Sequence, residues 1–377
     1  MKLGLVIYGS LDTLSGGYLY DRKLVEYLRS QGDIVEIISL PWRNYASHLT
    51  DNIWFRLWSP EARSWNIRQQ VSPPRHGDAV GLQNRDILIQ DELNHPSLIF
   101  ANRERHPYPV ISLVHHLRCS ELRPAWQNLF YRWVEKKYLN SVDGFIFNSK
   151  TTEKVVDRLV GNNLPRLIAY APTDRFREPM SEAVILERAE SDELQILFLG
   201  NVIYRKGLHT LLQAIRAQPG AFKVDVVGSL TSEPGYAKQM QEFVHANRLT
   251  SRVTFHSSLD KEPLVEKLKA AHVLAVPSSY EGFGIVYLEG MCFGLPAIGT
   301  TAGAAAEIIS DGVDGFLIQP ENAGELARKL KLLHENRDVL VQMSLAARTR
   351  YLRQPKWEET AGQIRGFLLK RIHEFSV

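Results

Sequence analysis

The stretch PSSYEGFGIVYLEGMCFGLPAIGT, residues 277–300, decides the fold of this 377-residue chain. An apolar run at 272–278 leads into it and predicts a buried strand. A helix is predicted from about Gly284 to Phe293, because Gly294 is typical of the residue that follows a helix end. Small residues at that helix start leave backbone N–H groups open to an anion, which indicates a diphosphate-binding loop after a strand.

Short apolar runs alternate with helical patterns along both halves of the chain. Runs that are apolar on both faces are typical of parallel strands covered by helices on two sides. In the first half they lie at 3–9, 33–40, 86–90, 110–114, 144–149 and 166–170. In the second half they lie at 194–200, 222–228, 252–257, 272–278, 295–300 and 315–320. The pattern predicts an α/β protein with two Rossmann-like, doubly wound parallel-sheet domains facing a central cleft.

The chain is long enough for two domains. We predict an N-terminal domain over 1–175, a C-terminal domain over 176–355, and a terminal helix over 356–377 that packs back on the N-terminal domain. A linker is predicted between Pro172 and Ser191, because this stretch is rich in charged residues and has no clear strand.

The composition is that of an ordinary globular protein, with 44% hydrophobic and 23% charged residues. A net charge of +3 gives no support to nucleic-acid binding. Cys119 and Cys292 are too few for a disulfide framework and favour a reducing compartment. No apolar stretch is long enough to span a bilayer, and the start does not resemble a signal peptide. We therefore expect a cytoplasmic protein that contacts the inner membrane face at most peripherally.

Charged residues stand beside the predicted phosphate-binding helix. Glu281 lies in the loop before it and Glu289 about one turn inside it, roughly 10 Å apart if the segment is partly helical. That spacing suits one carboxylate at a sugar and the other at a ribose. Arg205 and Lys206 follow the strand that ends at Gly200, where two cations would clamp a diphosphate and stabilise charge on a departing nucleotide. Taken singly, each charged residue also fits a solvated surface position.

Three further residues of the second half give weaker signals. Gly228 closes a strand and would let a nucleotide approach the backbone, although a plain turn explains it equally well. Gly303 follows a strand and Glu307 lies on the helix after it, where it would also fit a solvent-facing position.

Two features of the first half follow strand ends. Gly16 and Gly17 open a helix after the first strand, and they either let a phosphate or sugar approach or form a tight turn. They do not form the GxGxxG fingerprint, so NAD binding gains no support. His115 and His116 follow the strand at 110–114, where His115 either bonds a sugar or acceptor hydroxyl group or caps the next helix. Nearby ligands are too few to indicate zinc.

A polar cluster follows the strand at 86–90. Asp91, Glu92 and His95 would hold acceptor hydroxyl groups together with His116, or they would cap the helix that starts near Pro96. The sequence leaves both interpretations open.

The order of motifs resembles glycosyltransferase family 4, of the GT-B fold. The motifs are G-x4-RKG, VVG, EGFG-x4-E, GLP, TTAG-x3-E and DG-x2-G, and they cover nearly all of the second half. The resemblance implies a retaining hexosyltransferase that takes a UDP-, GDP- or ADP-sugar and needs no bound metal or cofactor. The acceptor would be a glycan, a lipid-linked molecule or a small molecule.

The resemblance also implies roles for individual residues. Arg205 and Lys206 would bind the diphosphate, Glu281 the donor sugar, and Glu289 the ribose, while His115 would face the reacting sugar. These expectations make His115, Glu281, Arg205 and Lys206 the predicted catalytic residues. The predicted donor-binding residues are Gly16, Gly17, Gly200, Arg205, Lys206, Gly228, Glu281, Gly282, Phe283, Gly284, Ile285, Val286 and Glu289.

The chain departs from the family pattern at two places. Ala304 and Ala306 stand where the family usually has a second glycine and a proline, and Ala171-Pro172-Thr173 stands where it usually has Asn-Gly. These departures bear on local loop contacts and not on the donor site. Two alternative functions remain open at the level of sequence: a GT-B-fold nucleotide-sugar epimerase, and a nucleotide-sugar-binding protein without catalysis.

Tryptophan and arginine concentrate in the first half. One stretch contains Trp42, Trp54, Trp58 and Trp65 among Arg43, Arg56, Arg63, Arg68 and Arg75, and a predicted helix adds Trp126, Phe130, Trp133, Lys136 and Lys137. If exposed, these residues suit a membrane surface or a lipid-linked acceptor. The helical spacing of Trp126, Phe130 and Trp133 instead favours burial in the core.

Overall fold

The computed structural model describes residues 1–13, 15–56, 85–103, 106–161, 163–172, 175–176, 178–218 and 222–376, apart from the side chains of 53–56. Within these ranges the strands form two six-stranded sheets, and every strand pairing is parallel. The prediction of two doubly wound α/β sheets is confirmed, because helices connect successive parallel strands in both halves.

The first sheet contains β1 (Lys2–Tyr8), β2 (Ile34–Leu40), β3 (Ile87–Asp91), β4 (Val110–Val114), β5 (Gly144–Phe147) and β6 (Arg166–Ile168). Its spatial order is β2-β1-β3-β4-β5-β6. The order reverses between β1 and β3, and a ligand of such a sheet binds beyond the carboxyl ends of the strands at this switch point. Strands β3, β4 and β5 are buried along their whole length, as continuous apolar runs require.

The second sheet contains β7 (Leu194–Leu199), β8 (Phe222–Val227), β9 (Val253–His256), β10 (Val273–Ala275), β11 (Ala297–Thr300) and β12 (Gly315–Ile318). Its spatial order is β12-β11-β10-β7-β8-β9. Here the switch point lies between β7 and β10. The loops after these two strands carry the RKG and EGFG motifs, so the topology brings two distant motifs to one place.

The described helices cover the sheets on both faces. They are α1 (Gly16–Ser30), α2 (Tyr45–Arg56), α3 (His95–Leu98), α4 (Ala125–Leu139), α5 (Lys150–Val160), α6 (Glu182–Ala189), α7 (Leu208–Arg216), α8 (Pro234–Ala246), α9 (Lys261–Ala270), α10 (Ile285–Cys292), α11 (Ala323–Glu335), α12 (Arg337–Leu352) and α13 (Trp357–Ser376). None of these helices combines the length and apolarity that a membrane crossing requires. Helix α1 begins where Ser15 accepts a hydrogen bond from the Tyr18 N–H, which positions its glycine-containing first turn at the cleft.

The predicted linker between Pro172 and Ser191 contains a helix, α6. Ile185 of α6 is buried against Gly294, where an added Cβ would lie 2.4 Å from the Ile185 Cδ1 atom. Arg188 donates a hydrogen bond to the carbonyl oxygen of Gly294 at 3.1 Å. The buried face of α6 is short and lies among many charged residues, so the sequence alone indicated only a linker.

The last helix, α13, packs against α1 of the N-terminal half. The Trp357 ring meets the Tyr20 ring edge-on, with centroids 5.2 Å apart. Arg365 donates a hydrogen bond to Asp33 at 2.7 Å. The chain therefore crosses between the two halves twice, once near α6 and once before α13.

The aromatic residues of α4 lie on the surface. Trp126, Phe130 and Trp133 are exposed, whereas Val134 and Tyr138 form the buried face of the helix. The prediction of burial from spacing is wrong, because helical periodicity defines a face without deciding which way it points.

Only part of the tryptophan- and arginine-rich stretch falls in the described residues. Trp42 is exposed, and Arg43 forms an ion pair with Asp51. The side chains of Trp54 and Arg56 lie outside the description, as do Trp58, Arg63, Trp65, Arg68 and Arg75.

Glu307 connects the two halves. Its carboxylate accepts hydrogen bonds from the backbone N–H groups of Lys150 and Thr151 at 2.9 and 2.7 Å, and from Thr151 Oγ1 at 2.6 Å. These N–H groups belong to the first turn of α5, whose orphan donors and dipole favour a negative partner. Glu307 does not simply face solvent, since it caps a helix of the opposite domain.

We expect Glu307→Ala to destabilise the protein, because two N–H groups of α5 lose their acceptor. The free energy of unfolding should fall by about 1–2 kcal/mol, the usual cost of losing a helix cap. Urea denaturation followed by circular dichroism measures this change. Glu335→Ala, at an exposed position of α11, is the control and should stay within about 0.5 kcal/mol of wild type. Equal losses in the two variants would contradict the capping role.

Candidate functional site

The switch points of the two sheets face one cavity of about 480 Å³. The loop before α1 and the residues after β3 and β4 approach it from the first sheet. Residues after β7, β8 and β10 approach it from the second. Every predicted donor-binding residue lines this cavity: Gly16, Gly17, Gly200, Arg205, Lys206, Gly228, Glu281, Gly282, Phe283, Gly284, Ile285, Val286 and Glu289. His115 and His116 line it as well. The structure thus brings residues from both halves of the sequence to one site.

Lys206 and Glu281 form a buried ion pair on the C-terminal side of the cavity. The Lys206 Nζ atom lies 2.5 Å from Glu281 Oε1, which also accepts a hydrogen bond from Ser278 Oγ at 2.6 Å. Arg205 donates to the carbonyl oxygen of Tyr280 at 2.7 Å, and its Nη1 atom lies 3.8 Å from Glu281 Oε2. Both cations therefore point toward Glu281, the arrangement that a diphosphate clamp between β7 and β10 requires.

At Glu281, neighbouring positive charges and hydrogen bonds affect the pKa more strongly than burial does. Burial alone would raise the pKa of this carboxyl group, but the charges of Lys206 and Arg205 and the hydrogen bonds from Lys206 and Ser278 lower the pKa to about 2. Glu281 is therefore a carboxylate at neutral pH and is unsuited to donate a proton. Burial and the neighbouring Arg205 lower the pKa of Lys206, while Glu281 acts in the opposite direction. The Lys206 charge thus depends on the carboxylate beside it.

Glu289 pairs with a residue that the sequence analysis missed. Arg175 Nη1 contacts Glu289 Oε1, and both side chains line the cavity. Helix α10 begins at Ile285 with no side-chain cap, and although the Tyr287 N–H donates to the Gly284 carbonyl oxygen at 2.9 Å, Ile285 and Val286 of the first turn line the cavity. Arg175 gave no signal in the sequence, because it lies in the predicted linker and 114 positions from its partner.

Glycine is required at two positions of the EGFG loop for different physical reasons. At Gly282 an added Cβ would lie 2.4 Å from the His115 carbonyl oxygen, so only glycine lets the two domains meet here. The Gly282 carbonyl oxygen in turn accepts a hydrogen bond from Ser149 Oγ at 2.9 Å. Gly284 adopts φ +95°, a left-handed conformation that admits the loop into α10. The loop that carries Glu281 is therefore also a contact between the domains.

His115 is held from three sides at the N-terminal wall of the cavity. Its Nε2 atom lies 3.1 Å from Asp21 Oδ1, and its backbone N–H donates to Glu92 Oε2 at 2.9 Å. Gly17 lies against the ring, where an added Cβ would be 3.3 Å from His115 Cδ2. Asp21 is not among the site residues predicted from the sequence, although a carboxylate on the buried face of a helix is a recognisable signal of a functional position.

Three buried carboxyl groups surround His115. Burial raises the pKa of Asp21 to about 7, and burial with the nearby Asp21 raises the pKa of Asp91 to about 7. Burial and Asp91 also raise the pKa of Glu92 well above its usual value. Asp21 Oδ2 is buried without a hydrogen-bond partner among the described residues, and the charge of Asp21 helps to raise the pKa of Asp91, so a proton on one of the two carboxyl groups relieves their repulsion. Burial lowers the pKa of His115, which favours a neutral imidazole.

The same cluster has the spacing of a metal site. One ligand atom from each of Asp21, Asp91 and His115 lies within 4.8 Å of the others.

The four predicted acceptor residues divide between the cavity and the interior. Glu92 and His116 line the cavity, whereas Asp91 and His95 do not. Asp91 accepts a hydrogen bond from the Leu93 N–H at 2.8 Å and caps the short helix after β3. His95 is buried, and its Nδ1 atom lies 2.8 Å from the Glu92 carbonyl oxygen. For Asp91 the capping interpretation fits the structure, and neither Asp91 nor His95 is placed to meet an acceptor.

The second half of the chain is similar to known proteins. Residues 186–350 match the family model described as Glycosyl transferases group 1. The chain is 26% identical over 194 residues to D-inositol 3-phosphate glycosyltransferase from Xylanimonas cellulosilytica, a match that covers 49% of this chain and 46% of that protein. It is 28% identical over 209 residues to the GDP-mannose-dependent alpha-(1-6)-phosphatidylinositol monomannoside mannosyltransferase from Mycobacterium tuberculosis, covering 52% and 53%. The chain thus spans about half the length of these relatives.

Solved structures match over the whole chain. Sucrose-phosphate synthase from Thermosynechococcus elongatus superposes with a TM-score of 0.80 and 19% identity, covering 99% of each chain. This chain has the GT-B fold. HepE from Anabaena, solved in complex with UDP-glucose, matches with a TM-score of 0.72 and 18% identity over 98% of this chain and 100% of that one. The GT-B part of the predicted resemblance is confirmed, and the narrower assignment to family 4 stays a prediction.

The buried carboxyl pair predicts a pH-dependent difference between the wild type and Asp21→Asn. An unfolded Asp titrates near about 4, whereas the folded-state pKa of Asp21 and of Asp91 is raised to about 7. Their contribution to stability is complete below pH about 4 and is lost as the pH rises toward 7. Asp21→Asn removes one titrating group, so its free energy of unfolding relative to wild type should rise between about pH 4 and pH 7 and stay level above this range.

Urea denaturation at a series of pH values measures this difference. Glu26→Gln changes an exposed carboxylate on the same helix and should follow the wild type throughout. A parallel pH profile for Asp21→Asn and wild type would show that Asp21 does not titrate in this range.

Proposed function

We propose that this GT-B protein transfers a sugar from a nucleotide-sugar donor to a hydroxyl acceptor with retention of anomeric configuration. One observation carries the proposal: Lys206, Arg205 and the uncapped start of α10 converge on one wall of the cavity, with Glu281 among them. Two cations and a free helix N-terminus are what a diphosphate needs. The match of residues 186–350 to Glycosyl transferases group 1 covers this wall and supports the proposal.

In the proposed complex, the diphosphate of the donor replaces Glu281 as the partner of the two cations. Without a ligand, Glu281 neutralises the two cations. A diphosphate competes for Lys206 and Arg205, and the released carboxylate accepts hydrogen bonds from sugar hydroxyl groups. As the anomeric C–O bond breaks, negative charge grows on the leaving nucleoside diphosphate, where the same cations and the first N–H groups of α10 stabilise it. Glu289 then accepts hydrogen bonds from the ribose in place of Arg175.

The carboxylates of the cavity favour retention over inversion. Inversion calls for a general base on the face opposite the leaving group, and burial, which lowers the pKa of His115, makes that imidazole a weak base. Among the described residues that line the cavity, the acids are Glu92, Glu281 and Glu289. Glu92 accepts hydrogen bonds from backbone N–H groups, and in the donor complex proposed above Glu281 and Glu289 accept hydrogen bonds from the sugar and the ribose. The proposed reaction therefore uses the leaving phosphate to accept the acceptor's proton on the same face, and Glu281 positions the sugar without covalent attack.

The N-terminal wall holds the sugar and the acceptor. When Asp21 accepts the Nε2 proton of His115, the neutral ring presents Nδ1 as a hydrogen-bond acceptor for a hydroxyl group. Gly16 and Gly17 keep this wall free of side chains at the start of α1. Closure of the two walls would align the reactants and exclude water that would otherwise hydrolyse the donor.

Related proteins suggest the classes of substrate to test. HepE is described in complex with UDP and with UDP-glucose, and one relative is named for its dependence on GDP-mannose. We propose a UDP-, GDP- or ADP-sugar as donor and a glycan, lipid-linked or small-molecule hydroxyl compound as acceptor. The proposal includes no metal, no further cofactor and a cytoplasmic location.

Lys206→Gln should reduce transfer about 100-fold or more, the usual effect of losing one stabilising donor in the transition state. The amide still bonds to Glu281, but the charge that a diphosphate requires is gone. Nucleotide release with the best donor of a panel measures transfer, and calorimetry measures nucleotide binding. Lys223→Gln, at an exposed position on β8 of the same domain, should behave as wild type. Near-normal transfer by Lys206→Gln would remove Lys206 from the mechanism.

A donor panel separates transfer from its two alternatives. UDP-, GDP- and ADP-sugars are supplied with and without hydroxyl acceptors, and products are followed by proton NMR. Acceptor-dependent nucleotide release with the donor's anomeric configuration in the product is the expected result. Inverted configuration would contradict retention. An epimerised donor without acceptor would support an epimerase, and tight donor binding without turnover on any acceptor would support a non-catalytic protein.

A further inference from the structure

Five large apolar side chains form an exposed row on α4 and the turn before it. They recur three or four positions apart and have exposed fractions between 44% and 71%; we call Leu122, Trp126, Leu129, Phe130 and Trp133 the α4 stripe. Exposed apolar side chains that lie singly need no explanation, but a contiguous row of this size marks a binding surface.

The charges of α4 surround this stripe with one sign. Arg132, Lys136 and Lys137 are exposed on the same helix. Glu135, the one acid of α4, is buried and accepts a hydrogen bond from the Arg118 backbone N–H at 2.6 Å. Aromatic side chains beside lysine and arginine complement an anionic bilayer, because the rings lie at the headgroup boundary while the cations meet lipid phosphates.

A hollow of about 600 Å³ adjoins the carboxyl end of the stripe. Its lining includes Trp133, Lys136, Lys137 and Arg103. Asp143 also belongs to the lining, but its carboxylate accepts a backbone N–H at 2.8 Å. Three cationic side chains therefore line the hollow beside Trp133, where they would contact a phosphate group.

The amino end of the stripe lies close to the acceptor side of the cavity. His116, which lines the cavity, bonds through Nε2 to Glu121 Oε1 at 3.0 Å. Leu122 follows Glu121 directly, and Asn128 of α4 donates to the Glu121 carbonyl oxygen at 2.9 Å. A partner surface that binds the α4 stripe therefore lies close to the cavity.

We propose that the α4 stripe docks on the surface of an anionic lipid bilayer. Trp126, Phe130 and Trp133 insert at the headgroup boundary, and Arg132, Lys136 and Lys137 neutralise lipid phosphates. The docked protein brings the acceptor side of its cavity toward the lipid, the geometry that a lipid-linked acceptor needs. Docking itself does not rest on sugar transfer, so its test requires no turnover.

Vesicle flotation tests the proposal with the full-length protein. Wild type should float with vesicles of phosphatidylcholine and phosphatidylglycerol, and should not float with phosphatidylcholine alone. The variant with Trp126, Leu129 and Trp133 changed to serine should lose at least tenfold in vesicle affinity. The variant with Arg132, Lys136 and Lys137 changed to glutamate should lose a similar factor, and wild-type binding should weaken with added salt.

Two control variants match these changes elsewhere on the surface. Val184 and Leu186 are exposed apolar residues of α6, and their change to serine should leave flotation unchanged. Lys238, Lys269 and Lys331 lie on other exposed helices, and their change to glutamate gives the same net charge without affecting α4. Circular dichroism melting should be equal in all variants, because each altered side chain is exposed.

Two results would overturn the proposal. The first is a flotation result: either the wild type does not float with anionic vesicles, or the α4 variants float as well as their controls do. The other is a light-scattering mass that shows a dimer in wild type and a monomer in the α4 serine variant, together with no vesicle binding. That second result would assign the stripe to a second copy of this chain. Quenching of wild-type fluorescence by brominated lipids, reduced in the variant without Trp126 and Trp133, is the expected confirmation.

Discussion

The ion pair of Lys206 with Glu281 is the contact on which the donor side of the cavity depends. It joins the loop after β7 to the loop after β10 at the point where the second sheet reverses its order, and Ser278 donates to the same carboxylate oxygen. Each charge would be costly alone in so buried a place. Because they neutralise each other, the folded protein keeps both charges in place without a ligand, and in the proposed function a diphosphate has only to replace the carboxylate.

The same loop also sets the contact between the domains. The Gly282 carbonyl oxygen accepts a hydrogen bond from Ser149, and the Glu281 carbonyl oxygen accepts one from the Ala304 N–H at 2.8 Å. Glu307, shortly after Ala304, caps α5 of the opposite domain. Donor chemistry and domain contact therefore share one short stretch of backbone.

The two walls manage buried charge in different ways. On the donor wall, opposite charges pair and the pKa of Glu281 falls to about 2. On the N-terminal wall, no lysine or arginine among the described residues pairs with Asp21 or Asp91, and burial raises the pKa of each to about 7. In the proposed function the first wall exchanges its carboxylate for a phosphate, whereas the second holds the neutral ring of His115 in one orientation. This difference suits a charged donor on one side and uncharged hydroxyl groups on the other.

The sequence by itself determined the two parallel sheets, because runs apolar on both faces have few other solutions. It also predicted that Arg205, Lys206, Glu281 and Glu289 lie together at the cavity, because they belong to short motifs directly after predicted strands. Only the tertiary structure decided which partners these residues have. Asp21 lies 94 positions from His115, and Arg175 lies 114 from Glu289, so no local pattern connects them. The direction of Trp126 and Trp133 was likewise undetermined, because helical spacing fixes a face and only packing against the sheet decides which face meets water.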